Sequence, residues 1–545
     1  MQPMTIPEII SAVDGTWLNP RKGAAPVTAV CTDSRKIAPG CLFLPWVGER
    51  FDGHDFIDRA LDAGAAGCLC ARRPELLRLD KFYIQVADTR LALRALASAY
   101  RDRFAIPFVQ VTGSVGKTTT KEMLAAVLGA KLRVLKTPEN FNNDIGTPLT
   151  LLGLGPEHQA AVIETGMNHF GEIRYLGEMV RPDIAVISNI GDAHIEHLGS
   201  REGILKAKSE IFENLKPEGL AVLNGDDALL NTLDLPFRTV RCGRSEHCAV
   251  RVMDMADHGV AGITCTVVSP RDTYHLTIPA PGEHMAYSAA IAVAVGEELG
   301  LSTEEITRGA ASYEPAGSRM RVLRLRDGRL VLDDCYNANP QSVTAALEIL
   351  AKTECGRKVA VLGDMGELGD LTDQAHYNMG ALAAMLGIDS VVAIGEKAAM
   401  IAEGTAQSGG SVLHFSTKEE AMPQLLELLG RMLDLEGAPR RMESYDISNT
   451  GADDMVASMV VFENGRPLKR DYRRFKIKDL TGPDDYASME QVLKRRFQRY
   501  LDEDEKFGTL PDLMLIDGGE NHVKIARRVL DEFGLNIPAF GMVKD

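Results

Sequence analysis

The sequence predicts an α/β protein of several domains, built on parallel β-sheets. The first observation is its length of 545 residues, which corresponds to about three to four domains. The second is its pattern, in which short apolar runs such as AAVIET, IAVISNI and LAVLNGD are separated by helical stretches. Strands that are apolar on both faces are typical of a parallel sheet covered by helices on both sides.

Composition and charge narrow the class of protein. Hydrophobic residues make up 45% and charged residues 25%, so disorder, collagen and coiled coil are not expected. The formal net charge of −16 argues against non-specific binding of nucleic acid by the chain as a whole. The 17 Lys plus Arg and 20 Asp plus Glu of residues 441–545 leave that segment at only −3, so most of the acidity precedes it.

The cysteines and the apolar segments favour a cytoplasmic location. The nine cysteines are scattered and form no C-x-x-C, so neither a zinc site nor a disulfide framework is expected. The start, MQPMTIPEIISAVDG, has neither the basic nor the apolar region of a signal peptide. No apolar run reaches the roughly 18 residues of a spanning helix, so no membrane span is expected.

Four domains are predicted along the chain. Residues 1–103 alternate short strands (VTAVC, CLFLPWV, AGCLC) with helices, and residues 104–314 open with the strand–loop–helix IPFVQVTGSVGKTTTKEMLAAVLGA. RLVLDDCYNANPQSVTAALEIL opens a similar series within residues 315–432. Residues 433–545 change to the order β-β-β-α-β-α-β, with an amphipathic helix from about Asp485.

A phosphate-binding loop is the strongest motif. Its residues stand between a strand and a helix and are predicted to bind ATP: Thr112, Gly113, Ser114, Val115, Gly116, Lys117, Thr118 and Thr119. Glycines let the backbone N–H groups approach phosphates, Lys117 can reach the β- and γ-phosphates, and Thr118 can ligate Mg²⁺. Val111 stands where the full motif has glycine, so the loop is a shorter variant.

Three later side chains are typical of a metal site near such a loop. Glu164, His194 and Lys208 follow predicted strands, and ligands gather at the carboxyl ends of parallel strands. A carboxylate and an imidazole near a triphosphate suit Mg²⁺-assisted phosphoryl transfer. A single His or Glu is more often structural, so the prediction depends on their lying together.

Residues 1 to about 430 resemble the Mur ligases. The matching strings are TDSRKIAPGCLFLPWVGERFDGHDF, TGSVGKTTTKE, NFNNDIGTPLT, ETGMNHFGEI, DDCYNANPQS and VLGDMGELG, in the family's order. They are most similar to the members that join D-alanyl-D-alanine to UDP-N-acetylmuramoyl-tripeptide in peptidoglycan synthesis. The resemblance implies a UDP-binding domain, a P-loop ATPase domain and a Rossmann-like third domain, with ATP and Mg²⁺. The chain is expected to be a monomer.

The resemblance also implies roles for residues. Lys117, Glu164, His194 and Lys208 would be catalytic, and Thr118, Glu164, His194 and Lys208 would form a two-metal site in which Lys208 is carbamylated. The remaining residues would contact the nucleotide (Arg319, Asp334 and Asn337, the last in the YNANP loop) or the UDP-sugar and peptide substrate (Thr32, Asp33, Ser34, Arg35, Asn142 and Asn143).

The mechanism that the resemblance implies has two steps. The terminal carboxylate of the tripeptide attacks the γ-phosphate, which gives an acyl phosphate and ADP. The amine of D-alanyl-D-alanine then displaces phosphate and forms the amide. Closure of the third domain would exclude the water that hydrolyses the acyl phosphate.

Two departures from the family pattern are visible. Ser288 stands where the family usually has an asparagine that can contact adenine, which weakens the expected nucleotide contact. The last strand and the Lys-Gly-Ser-Arg-like turn of the family's third domain do not follow HFSTKEEAMPQLLELL. The third domain is therefore expected to lack a strand.

The C-terminal segment resembles the RNase H-like endonuclease domain of the excinuclease protein UvrC. The matching strings are RRMESYDISNTGADDMVASMVVFENG, GPDDYASMEQVLKRRF and PDLMLIDGGENHVKIARRVL, and Asp446, Asp485 and Asp517 match its catalytic carboxylates. Three such carboxylates suit a two-metal nuclease site. The chain ends before a histidine that the family uses, so the domain is expected to be incomplete.

Basic residues in this segment could contact DNA or an excinuclease partner protein of the UvrB type. They form two runs: Lys469, Arg470, Arg473, Arg474, Lys476 and Lys478, and Lys494, Arg495, Arg496 and Arg499. A solvated surface explains them equally well.

Three interpretations stay open. The first is a cell-wall ligase with an inert nuclease-like tail, and it ranks first because the ligase strings cover about four-fifths of the chain. The second is a DNA-repair nuclease subunit in which the ligase region is foreign. The third is a fused or misassembled reading frame in which neither part is complete.

Overall fold

The computed structural model describes residues 1–20, 23, 25–48, 51–324, 330–449, 455–477, 485–517 and 520–542. The chain forms two compact units, residues 1–393 with 400–413 and residues 394–399 with 414–545. Among the described residues, no helix has both the length and the hydropathy to cross a bilayer. Lys478, one of the predicted basic residues, lies outside the described part of the chain.

The first region is a small sheet with helices beside it. Its elements are α1 (Ile6–Val13), β1 (Thr16–Trp17), β2 (Val30–Cys31), β3 (Leu42–Phe43), α2 (Ile57–Asp62), β4 (Gly67–Cys70), β5 (Phe82–Gln85) and α3 (Thr89–Arg101). The strand order is β1-β5-β4-β3-β2, and only β1 is antiparallel to its neighbour. The predicted alternation of strands and helices is confirmed here.

The central region holds the largest sheet. Its elements are β6 (Phe108–Thr112), α4 (Lys117–Gly129), β7 (Val134–Lys136), α5 (Gly146–Leu152), β8 (Ala160–Glu164), α6 (Glu172–Val180), β9 (Ile184–Ile187), α7 (Ile195–Leu198), α8 (Arg201–Ser209), β10 (Leu220–Asn224), β11 (Arg238–Gly243), β12 (Val250–Asp257), β13 (Ile263–Val268), β14 (Thr273–Ile278), α9 (His284–Glu298) and α10 (Thr303–Ala311). The strand order is β14-β13-β12-β11-β10-β9-β6-β8-β7.

The central sheet is parallel from β7 to β12, as predicted, but β13 and β14 add an antiparallel edge. The reason lies in the burial pattern. β6 and β8 are buried at every position, whereas buried residues alternate with more exposed ones along β13 and β14. Alternation of this kind is typical of antiparallel strands that have one face on the core.

The order of strands fixes where a ligand can bind. β6 pairs in parallel with β8 on one side and with β9 on the other. The chain runs from β6 outward to β7 and later from β8 back past β6 to β9, so the strand order reverses beside β6. Such a switch point opens a crevice at the carboxyl ends of the strands. The predicted phosphate loop follows β6 at this crevice.

The third region is a hairpin followed by a three-stranded sheet. Its elements are β15 (Arg321–Arg324), β16 (Leu330–Asp333), α11 (Pro340–Lys352), β17 (Val359–Gly363), α12 (Thr372–Met385), β18 (Ser390–Ile394), α13 (Ala399–Gln407), β19 (Val412–Phe415) and α14 (Lys418–Met432). The sheet has the order β17-β18-β19. Helix α11 begins with Pro340 after the capping side chain of Asn339, which fixes its start in the YNANP loop.

The C-terminal region has the predicted order of elements, β-β-β-α-β-α-β, with one additional two-residue strand before the third predicted strand. These are β20 (Arg441–Asn449), β21 (Met455–Glu463), β22 (Arg466–Pro467), β23 (Arg473–Lys476), α15 (Asp485–Leu501), β24 (Leu513–Asp517), α16 (Glu520–Glu532) and β25 (Ala539–Met542). The strand order is β22-β21-β20-β24-β25, and β23 also pairs with β21. The pairs among β20, β21, β22 and β23 are antiparallel, and β20-β24-β25 are parallel. Met489, Val492, Leu493 and Phe497 of the predicted amphipathic helix are buried in the core, whereas Leu501 is exposed at the helix end.

A buried ion pair lies in the core of this region. Arg496 is fully buried, and its Nη2 lies 2.8 Å from the Oε1 of Glu443. The Tyr445 hydroxyl also donates to Glu443, at 2.5 Å, and Nη1 of Arg496 donates to the Phe507 carbonyl at 2.9 Å. Arg496 therefore belongs to the core and not to an exposed basic surface, which corrects its place in the predicted basic run.

Replacing Arg496 should destabilise this region strongly. Arg496→Met removes the closer guanidinium partner of the buried Glu443 carboxylate and leaves only Arg441, whose Nη2 lies 3.5 Å away. The loss of one partner of a buried ion pair typically costs about 3–5 kcal/mol. We expect this region to unfold at a lower urea concentration than in the wild type. Hydrogen exchange of its backbone amides in the full chain measures the change. Arg470→Met is the control, because Arg470 is exposed. Equal protection in the two variants would contradict the structural role given to Arg496.

Candidate active site at the phosphate loop

The loop after β6 has the backbone that phosphate binding requires. Gly113 and Gly116 have φ values of +154° and +78°. A Cβ on Gly113 would lie 1.9 Å from the Oγ of Ser188, so this position accepts only glycine without rearrangement. Gly116 ends the loop and precedes α4, whose N-terminal N–H groups face the crevice.

The segment after β9 holds the loop in place. The Ser114 N–H donates to the Asn189 carbonyl at 3.0 Å, and the Val115 N–H donates to the Asn189 side chain at 2.9 Å. The Ser188 hydroxyl donates to the Val115 carbonyl at 2.7 Å. The loop is thus organised by its own protein contacts, which lowers the cost of ordering it around a ligand.

Lys117 lies over the loop. Its Nζ donates to the carbonyls of Gly113 at 2.9 Å and Ser114 at 3.2 Å. Burial lowers the pKa of Lys117, the Glu164 carboxylate opposes that shift, and the Arg319 charge adds to it. The ammonium group is therefore poorly solvated and well placed to interact with an anion.

Glu164 is the fixed carboxylate of the site. It ends β8 and is fully buried. Its Oε2 accepts from the Thr118 hydroxyl at 2.9 Å, and its Oε1 accepts from the Asn142 amide at 2.9 Å. Thr118, which is predicted to lie near the nucleotide, and Asn142, which is predicted to lie near the peptide substrate, therefore both contact the Glu164 carboxylate.

A buried lysine that the sequence analysis did not identify lies behind Glu164. Lys121 is fully buried, and its Nζ lies 3.7 Å from the Oε2 of Glu164 and 3.0 Å from the Oε1 of Glu122. It also donates to the Thr137 carbonyl at 2.8 Å. Lys121 stands one helical turn after Thr118 on α4, so the signal that could have found it is the spacing i, i+3.

His194 and Lys208 are close to the charge of Lys117. Burial lowers the pKa of His194, and the Glu367 carboxylate beside its ring opposes that shift. Lys208 is buried on α8, and burial together with the nearby Lys117 charge lowers its pKa well below 10.5. Within the described residues, no ion pair with a carboxylate is found for Lys208.

These side chains border a cavity of about 610 Å³. Its lining includes the predicted residues Ser114, Val115, Gly116, Lys117, Thr119, Asn142, Asn143, Glu164, His194, Arg319, Asp334 and Asn337. Arg319 lies over the ring of Tyr336 at 4.2 Å, and burial raises the pKa of Asp334, which accepts from the Met320 N–H at 2.9 Å. The cavity is large enough for a nucleotide and part of a second substrate.

Some predicted residues do not line this cavity. Thr118 and Lys208 are buried beside the cavity, and Thr112 and Gly113 lie in the strand and loop below it. Four other predicted residues lie apart from the cavity, in the first region: Thr32, Asp33, Ser34 and Arg35. There the Arg35 guanidinium lowers the pKa of Asp33 to about 2. Ser288 does line the cavity, where its hydroxyl lies 3.2 Å from that of Thr120.

The donor groups fit a magnesium ion that keeps most of its water. Across the described residues, no group of three or more His, Cys, Asp and Glu side chains is arranged to hold a metal. The Thr118 hydroxyl and the Glu164 carboxylate nevertheless meet at the start of α4, and Mg²⁺ is commonly held by one or two oxygen ligands together with phosphates. The two-metal arrangement with Lys208 stays a prediction.

The predicted nuclease residues lie in the second unit. The register pairs Tyr445 with Ile516 on the parallel strands β20 and β24, and Asp446 and Asp517 each follow by one residue. They therefore stand at the same level on adjacent strands. Asp485 begins α15, and its side chain lies outside the described part of the structure.

Comparison with known domain families assigns each region. Residues 26–101 match the Mur ligase family catalytic domain, residues 111–296 the Mur ligase middle domain, and residues 318–434 the Mur ligase glutamate ligase domain. Residues 430–545 match the UvrC RNAse H endonuclease domain.

Two relatives that align with about three-quarters of the chain agree with these domain matches. The UDP-N-acetylmuramoyl-tripeptide–D-alanyl-D-alanine ligase of Bacillus subtilis is 38% identical over 426 residues, 78% of this chain and 92% of the relative. The ligase of the same name from Escherichia coli K12 is 38% identical over 408 residues, 74% and 88% of the two chains.

Solved structures agree as well. The crystal structure of MurF from Acinetobacter baumannii has a TM-score of 0.72 at 34% identity and covers 79% of this chain and 94% of its own. MurF ligase from Thermotoga maritima in complex with ADP has a TM-score of 0.64 at 29% identity, covering 73% and 90%. The predicted fold class is confirmed, and the chain belongs to the Mur ligase family, with a UvrC RNAse H-like domain after its ligase region.

Proposed function

We propose that the region before about residue 430 is an ATP-dependent amide ligase that joins D-alanyl-D-alanine to UDP-N-acetylmuramoyl-tripeptide, the activity that its relatives are named for. We also propose domain limits of 1–103, 104–314, 315–432 and 433–545. The main support for the proposal is that the side chains of Thr118 and Asn142 both donate hydrogen bonds to the Glu164 carboxylate beside the phosphate loop.

The loop and its neighbours would hold ATP. The Gly116 N–H and the N-terminal N–H groups of α4 would surround the phosphates, and Lys117 would offset the charge that develops on them. Thr118 and Glu164 would hold Mg²⁺, which polarises the transferred phosphoryl group when bound. Arg319, Asp334 and Asn337 would contact the nucleotide from the third domain.

The peptide substrate would approach from the other side of Glu164. Asn142 and Asn143 line the cavity there, and Asn142 fixes one carboxylate oxygen through its amide. The turn of Thr32, Asp33, Ser34 and Arg35 would contact the UDP-sugar end. This arrangement would bring the tripeptide carboxylate to the γ-phosphate and hold the acyl phosphate for the incoming amine.

Lys208 is proposed to act as a carbamate. A lysine can react with carbon dioxide only as the neutral amine, and burial together with the charge of Lys117 favours that form. The reaction forms an N–C bond and releases one proton, which turns the neutral amine into an anion. The product would pair with Lys117 and add an oxygen ligand to the metal site.

Substrate-dependent release of phosphate tests the proposed activity. The full chain with ATP, UDP-N-acetylmuramoyl-tripeptide and D-alanyl-D-alanine should release phosphate well above ATP alone. Glu164→Gln should reduce the rate about 100-fold or more, because the neutral amide is a poor Mg²⁺ ligand. Glu304→Gln, an exposed substitution on α10, is the control and should leave the rate unchanged. Phosphate release no greater than with ATP alone would overturn the proposal.

A second candidate function belongs to the C-terminal region. The equal level of Asp446 and Asp517 on adjacent parallel strands supports a Mg²⁺-dependent cut of DNA there. The full chain would be incubated with damaged duplex DNA and Mg²⁺. Incision that survives Asp517→Ala would rule this site out.

A further inference from the structure

The loop of residues 137–145, which we call the asparagine loop, connects β7 to α5 and is fixed at its inner side. The Asn142 amide donates to the Glu164 carboxylate at 2.9 Å, and the Asn142 carbonyl accepts from the Gly166 N–H at 2.8 Å. Both bonds hold the loop against the end of β8 and the residues that follow it. Three side chains of the loop line the cavity: Asn140, Asn142 and Asn143.

The outer side of the asparagine loop is held by the first region. The Nη2 of Arg90 donates to the Oδ2 of Asp144. Arg90 stands in the first turn of α3, where the Asp88 side chain caps the helix and accepts from the Arg90 N–H at 2.7 Å. Arg90 and Asp144 belong to segments that match different Mur ligase domains, so this ion pair joins the first region to the cavity.

We propose that Arg90 is a positioning residue that holds the asparagine loop in place for the peptide end of the substrate. The first region then has two tasks, because it contacts the UDP-sugar end and also fixes the loop that faces the peptide. This inference rests on the proposed function, since it takes Asn142 and Asn143 as contacts of the peptide.

The loop is compact, so the position of Asp144 determines that of its neighbours. The Asn143 side chain accepts from the N–H groups of Ile145 at 3.2 Å and Gly146 at 2.8 Å. A Cβ on Gly146 would lie 2.3 Å from the Cα of Phe141, so the two sides of the turn are in direct contact. A shift of the Asp144 carboxylate would therefore move the asparagines that line the cavity.

Arg90 is presented by a firm support. Leucines of α3 and α5 belong to one buried cluster: Leu93, Leu96, Leu151 and Leu152. The ion pair lies at the rim of this core, where 51% of the Arg90 side chain and 37% of the Asp144 side chain are exposed. Ion pairs with this exposure add little to stability, so their loss is expected to affect the loop and not the fold.

Steady-state kinetics of the full chain with ATP, UDP-N-acetylmuramoyl-tripeptide and D-alanyl-D-alanine test the inference. Arg90→Met should raise the KM of the tripeptide substrate about fivefold, because the substrate must then order the loop itself. The KM of ATP should stay near wild type. The matched control is Arg94→Met, one turn later on α3, because Arg94 pairs with Glu178 of α6 and not with the loop. It should leave both KM values unchanged.

Reversal of the charges tests the contact itself. Arg90→Glu and Asp144→Arg each bring like charges together, so each should raise the KM of the tripeptide substrate. The double variant restores opposite charges and should return that KM toward the wild-type value. A double variant with a KM no lower than those of the single variants would overturn the pairing.

Hydrogen exchange separates the inference from the proposed function. In the full chain without substrates, amides of the asparagine loop should exchange about fivefold faster in Arg90→Met than in the wild type or Arg94→Met. If the wild type is active and the tripeptide KM of Arg90→Met is unchanged, the role of Arg90 is overturned and the proposed function stands. If the wild type is inactive, the proposed function fails, and exchange alone decides: faster exchange supports the role of Arg90, and unchanged exchange overturns it.

Discussion

Lys117→Met should lower the rate of substrate-dependent phosphate release by about 1,000-fold or more. The ammonium group lies over the phosphate loop, where it donates to the carbonyls of Gly113 and Ser114. When a triphosphate is bound, this group would offset the charge that develops during phosphoryl transfer, and such groups contribute about 10³–10⁵ in rate. Methionine keeps most of the length of the side chain and removes its charge and its donors.

The control for this variant lies just beyond the same helix. Lys131 is exposed and follows the end of α4, so Lys131→Met should keep the wild-type rate. Binding of a fluorescent ATP analogue should also weaken in Lys117→Met and not in Lys131→Met. A Lys117→Met variant that retains a tenth of the wild-type rate would contradict the role given to the loop.

Lys208→Met should abolish most of the activity and raise the stability of the ligase region. Activity should fall about 100-fold or more, because an anion formed at Lys208 would be lost from the metal site. Stability should rise, since burial and the Lys117 charge disfavour a protonated lysine there. The two effects in opposite directions distinguish a functional lysine from a structural one.

The gain in stability has a predicted dependence on pH. The folded-state pKa of Lys208 is lowered, so below 10.5 the wild-type chain must release a proton when it folds. This proton release lowers the folding stability of the wild type. The loss of stability grows as the pH falls from 10.5 toward the lowered pKa and is constant below it. The advantage of Lys208→Met in thermal unfolding should therefore be larger near neutral pH than near the ordinary lysine pKa.

Lys206 provides a matched control on the same helix. It lies two residues before Lys208 on α8 and is exposed, with its Nζ 5.7 Å from the centre of the Phe170 ring. Lys206→Met should leave both the rate and the unfolding temperature near wild type. If Lys208→Met were as active as Lys206→Met, Lys208 would have no part in the metal site.

Motifs with fixed spacing could be predicted from the sequence because their chemistry is local. The phosphate loop needs two glycines with unusual backbone angles between a strand and a helix, and residues 113–117 have this pattern. The strand Ala160–Glu164 is apolar up to a terminal carboxylate, which places Glu164 at the ligand end of the sheet. The C-terminal order of elements followed from alternation and helical spacing in the same way.

Contacts between distant parts of the chain could not be predicted, because they depend on the order of strands and on how the elements pack. Lys121 is buried behind Glu164 only because α4 packs beside β8. Glu367 contacts His194 through a turn that lies 173 residues further along the chain. Arg496 belongs to a predicted basic run, since a charged residue on a helix is usually solvated, yet it pairs with Glu443 on strand β20.

Transfer of oxygen from the tripeptide to phosphate tests the central claim most directly. The full chain is given ATP, D-alanyl-D-alanine and UDP-N-acetylmuramoyl-tripeptide with ¹⁸O in its terminal carboxylate, and the released phosphate is analysed by mass spectrometry. If the carboxylate attacks the γ-phosphate and the amine then displaces phosphate, each phosphate carries an oxygen atom from that carboxylate. Phosphate without the label, or release that does not require the tripeptide, would contradict the account.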